Sequence, residues 1–63
     1  MTQKELLYVE DAIGHETTIV DVCNDIISHL DDEELISFIE NELRNHENMK
    51  NNLINMLEVK ANG

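Results

Sequence analysis

Glu16, Glu42 and His46 are the residues of this 63-residue chain whose types and spacing suggest chemistry. On a helical wheel, Glu16 falls near the centre of the arc set by Leu6, Val9, Ile13, Val20, Cys23 and Ile27. His46 falls near the centre of a second arc, between Leu35, Ile39, Leu53 and Leu57, with Glu42 one turn before it on the same face. A carboxylate taken out of water without a partner is costly, so it pairs, takes up a proton or binds a metal. Beside side chains that simply reach solvent at a loosely packed interface, two outcomes follow. Glu16 and His46 can form a buried pair that fixes the register between two helices. Alternatively, a two-fold dimer would collect Glu16, Glu42 and His46 from each copy around iron or a similar divalent metal.

The second outcome has the ligand set of di-iron helical bundles, four carboxylates and two imidazoles, with one departure. Those bundles carry Glu-x-x-His, whereas the spacing here is Glu42-x-x-x-His46 and Leu43 holds the position that would complete the motif. The other reactive side chains have simpler readings. His15 is turned about 100° from Glu16 and is expected to line a dimer face. His29 lies where a helix C-terminus favours a cation. Cys23 sits in the apolar stripe as a small core residue. No Gly-rich phosphate loop and no Ser-His-Asp set is present, so an ordinary hydrolase or transferase is not expected. A di-metal oxidase is the one enzymatic alternative.

Composition narrows the classes further. With 14 Asp+Glu against 4 Lys+Arg the formal charge is −10, which opposes binding to nucleic acid backbones. Such acidity suits the solvated faces of helices, a nucleic-acid mimic that occupies a basic groove of another protein, or a surface that attracts metal cations, and it leaves open an acidic regulatory inhibitor that docks on a basic protein. A single cysteine forms no intrachain disulfide and excludes cysteine-rich zinc modules. The apolar runs are far shorter than the ~20 residues of a membrane span, and no export signal opens the chain. A cytoplasmic, non-membrane protein is expected.

The elements that must position these residues are helices. Apolar residues recur at alternating three- and four-residue spacing from Leu6 to Leu30, then again at Leu35, Ile39, Leu43, Met49, Leu53, Met56 and Leu57. Asp31-Asp32-Glu33-Glu34 interrupts the pattern, and Asp31 with Glu34 resembles a capping box. The reading is one all-α domain over 1–63, a helix over about 3–30, a turn at 31–32 and a helix over about 33–60. Gly14 and Thr17-Thr18-Ile19-Val20 lower helicity, which leaves room for a bulge at Gly14 or a strand over Thr18–Cys23. Residues whose numbers sum to about 64 would then lie opposite one another, bringing Glu16 towards His46. Side bands at Tyr8, Ile19, Val22 and Ile26, and at Phe38, Met49 and Met56, exceed what a two-helix seam covers. Two copies in an antiparallel four-helix bundle, a homodimer, would cover them.

The segments Lys4-Glu5-Leu6-Leu7-Tyr8-Val9-Glu10-Asp11-Ala12 and Gly14-His15-Glu16, with Leu43-Arg44-Asn45-His46-Glu47-Asn48-Met49-Lys50, carry a family likeness. In them the chain resembles small coat-F-type and ferritin-like proteins of endospore-forming bacteria, with a His-Glu dipeptide in each helix. The resemblance implies a ferritin-like bundle built from half-length chains, a spore-associated location and a structural role in the coat or its assembly. Glu16 and His46 match the family's words, while Glu42 comes from the helical wheel.

Overall fold

The computed structural model describes residues 1–62, with side chains through Lys60. It contains two helices, α1 (Gln3–Ser28) and α2 (Glu33–Asn62), packed against each other as a hairpin. α1 starts at a capping box. The Thr2 hydroxyl accepts from the Glu5 N–H at 3.1 Å, and the Glu5 carboxylate accepts from the Thr2 N–H at 2.8 Å. The helix then runs unbroken through Gly14 and the threonines, so neither the bulge nor the strand forms. Thr17 and Thr18 turn their hydroxyls back to the carbonyls of Ile13 and Gly14, which satisfies them within the helix.

α1 stops at Ser28, two residues before the expected end, and His29 is its C-cap. The cause is local. Ser28 Oγ and His29 Nδ1 both donate to the Asp25 carbonyl, at 2.6 and 2.8 Å, while the His29 and Leu30 N–H groups tighten onto Ile26 and Ile27. The connection is therefore His29–Asp32, longer than a turn at 31–32. Asp32, not Asp31, caps α2. Its carboxylate accepts from the N–H groups of Glu34 at 2.9 Å and Leu35 at 3.1 Å.

The seam of α1 is Leu6, Val9, Ile13, Glu16, Val20, Cys23, Ile27 and Leu30, as the spacing predicts. The seam of α2 differs from expectation. Ile36, Ile39, Leu43, His46, Lys50, Leu53 and Leu57 turn inward, whereas Leu35, Met49 and Met56 are exposed. Both seams keep strict alternation of three and four residues, the a and d positions of a heptad. Leu6, Ile13, Val20 and Ile27 take a on α1; Ile36, Leu43, Lys50 and Leu57 take a on α2. Leu35, Met49 and Met56 each precede an a residue and so fall at g, on the flank. Covering is shallow throughout: Cys23, 7% exposed, is the one deeply buried residue among those described. Among the described residues, no helix is long and apolar enough to cross a membrane.

Candidate functional site

The seam brings Glu16 and His46 together from the middles of the two helices. Glu16 occupies a d position of α1 and His46 a d position of α2, in place of the apolar residues found at most seam levels. His46 Nδ1 lies 2.5 Å from Glu16 Oε2. Their side chains are 21% and 16% exposed. An ionised carboxylate only accepts hydrogen bonds, so with Glu16 ionised the ring proton is on Nδ1 and points at Oε2. No buried side-chain nitrogen or oxygen among the described residues lacks a partner. Each member of the pair thus reduces the desolvation cost of the other.

The contact also measures the register. Residues of α1 and α2 whose numbers sum to about 62 share a level. The expected sum is about 64, and the early end of α1 moves it. Glu42 stands one turn from His46 towards the connection, with its Oε2 3.8 Å from His46 Nε2 and its side chain 43% exposed. The three residues singled out in the sequence are therefore neighbours, in the order Glu16, His46, Glu42. The imidazole bridges them, one ring nitrogen towards each carboxylate.

This order bears on metal binding. Among the described residues, no group of three or more His, Cys, Asp and Glu side chains is disposed to hold a metal ion. Glu16 is engaged by Nδ1, leaving His46 Nε2 and Glu42 as the two donors a cation would meet. A histidine whose other nitrogen donates to a carboxylate is a well-oriented ligand, so Glu16 would then act through His46. The remaining reactive residues stand apart. His15 is exposed on the flank of α1. His29 is engaged at the helix end with Asp25 and Ser28. Cys23 lies two turns along α1 from Glu16, about 10 Å, too far for its thiol to meet the imidazole.

A different electrostatic feature marks the start of α1. The Thr2 backbone N–H, then its hydroxyl, holds the Glu5 carboxyl below the usual carboxylate range. Beside it, a cavity of about 430 Å³ is lined by Met1, Glu5, Tyr8, Val9, Met56 and Lys60. A second groove, of about 280 Å³, runs along α2 and is lined by Glu16, Met49, Asn52, Leu53 and Met56. The sequence pattern places Met49 and Met56 in the seam, and so hides this groove. Compared with known proteins, the chain matches no family model, no curated protein and no solved structure.

Proposed function

We propose that this chain is a non-enzymatic structural and interaction protein, a helical hairpin that self-associates into a two-chain, ferritin-like four-helix bundle. The observation that supports the reading is the poverty of burial within one chain. Cys23 alone among the described residues is deeply covered, while Leu7, Tyr8, Val22, Phe38, Met56 and Val59 are each about half exposed or more. Ordering a backbone costs about 1–2 kcal/mol per residue, and one shallow seam offsets little of it. A second copy supplies the missing apolar contact. A setting in the spore coat rests on the likeness of Gly14-His15-Glu16 and His46-Glu47 to coat-type proteins. Sedimentation equilibrium, with helicity followed across the same dilution series, tests the reading. Helicity should fall as the dimer dissociates; a fully helical monomer at low micromolar concentration would overturn it.

A second reading, divalent metal binding, is favoured by one observation. His46 Nε2 faces Glu42 while Glu16 orients the ring through Nδ1. Elemental analysis of protein purified without chelator or added metal separates the two readings. Iron, zinc or manganese retained by the parent and lost on Glu42→Ala would promote the second.

A further inference from the structure

The hairpin has two unlike sides. In an antiparallel helix pair, g positions of one helix flank g positions of the other. The cavity at the open end carries this arrangement, because Glu5 and Tyr8 of α1 line it together with Met56 of α2. On that side lie Ala12, Ile19 and Ile26 from α1 and Leu35, Met49 and Met56 from α2, with Tyr8, Val22, Phe38 and Val59 at the adjoining c positions. Of the 14 acidic residues only Glu5 and Glu42 fall there. The opposite flank carries Glu10, Thr17 and Asn24 with Glu40, Glu47 and Ile54. Like-charge repulsion therefore favours the first side for a partner of the same acidity.

That side holds a knob and a hole. Phe38, 60% exposed, projects eight residues from His46 towards the connection, about 12 Å along α2. The groove between Glu16 and Met56 is centred about 10 Å from His46 in the other direction. Its volume of about 280 Å³ exceeds the roughly 150 Å³ that accommodates a benzene ring in a protein interior. Knob and hole are thus equidistant, within a residue or two, from the Glu16–His46 level.

We infer that the occupant of this face is a second copy of the chain, related by a two-fold axis that crosses the hairpin at right angles near the Glu16–His46 level. The inference rests on the self-association proposed above and specifies its geometry. α2 runs antiparallel over α2 of the partner, and each Phe38 enters the other's methionine groove, an isologous contact. Leu35 then meets the level of the partner's Met56, and Glu42 that of the partner's Met49. A face 46 Å long and 15 Å wide offers on the order of 700 Å² per protomer, close to the about 800 Å² of a standard interface. The alternative, an axis along the bundle, leaves both grooves unfilled and sets the two Glu42 carboxylates at one level. The crossing axis separates them by about 10 Å along the bundle. That separation also opposes a metal shared between Glu42 residues of the two copies.

Asn45 lies one residue from the axis, at an exposed c position, and supplies the test. The full chain carrying Cys23→Ser and Asn45→Cys should close an intermolecular disulfide under mild oxidation, because the two Cα atoms approach within the roughly 7 Å limit. Asn48→Cys, on the outer face, should not. Phe38→Ala should raise the dimer dissociation constant roughly tenfold or more. A dimer that neither cross-links through position 45 nor weakens on Phe38→Ala would overturn this geometry while leaving self-association intact. A monomer in the parent chain would overturn the self-association itself.

Discussion

His46 Nδ1 meets Glu16 Oε2 at 2.5 Å across thirty residues of sequence, and the two side chains occupy facing positions in an otherwise largely apolar seam. A slip of α2 by one heptad would bring Ile39 or Leu53 against Glu16 and leave the carboxylate unpaired, so the pair selects one alignment of the helices. Holding that alignment has a cost. An apolar pair would pack as well without desolvating two polar groups.

Removing one member should therefore hurt more than removing both. Glu16→Ala or His46→Ala is expected to lose about 1–3 kcal/mol in urea unfolding at fixed protein concentration. The double variant Glu16→Leu/His46→Leu should be at least as stable as the parent, because no polar group is left stranded. A double variant less stable than either single one would contradict this account.

Gly14 should yield stability when replaced. Nothing lies within 4 Å of a Cβ built there, and the helix passes through without positive φ. Gly14→Ala is expected to raise unfolding free energy by about 1 kcal/mol, read as a higher urea midpoint with an unchanged slope.

The two aspartates of the connection should separate cleanly. Asp32→Ala removes the acceptor for the Glu34 and Leu35 N–H groups and should cost about 1 kcal/mol. Asp31→Ala should stay within about 0.5 kcal/mol of the parent. Equal losses would mean that charge near the helix start, and not the cap, carries the effect.

Acid should loosen the first turn of α1. The folded Glu5 carboxyl is held below its ordinary pKa by Thr2. Its contribution is therefore complete above the ordinary carboxylate value and disappears as pH falls through the lowered folded one. Backbone amide protection in the first turn, followed by NMR from neutral to about pH 3, should decline in that window. Thr2→Ala should flatten the dependence.

The α1 seam is readable from the sequence because the set from Leu6 to Leu30 keeps the three- and four-residue alternation throughout, interrupted in polarity only by Glu16, although Leu7, Tyr8, Ile19, Val22 and Ile26 stand beside it. α2 offers adjacent choices at Leu35-Ile36, Met49-Lys50 and Met56-Leu57. Hydrophobicity favours Met49 over Lys50, yet strict heptad spacing turns Lys50 inward, where the aliphatic stem of a lysine can cover apolar surface. The Glu16–His46 pair is legible too, since both residues sit at the centre of an apolar arc. The end of α1 is not. No glycine marks it, and the Ser28 and His29 bonds to one carbonyl arise only once the backbone is in place. The Thr2–Glu5 box stands in the order Thr2-Gln3-Lys4-Glu5, but the acidic run at 31–34 is the louder capping signal and masks it.

Cys23 is both the chain's single thiol and the most deeply covered of the described side chains. A thiol reagent can reach that sulfur only when the helices part, so its labelling rate counts opening events directly. The chain has no tryptophan to report unfolding by fluorescence, and this sulfur serves in its place as a built-in clock. If separation of the two copies precedes opening, the clock will slow as protein concentration rises.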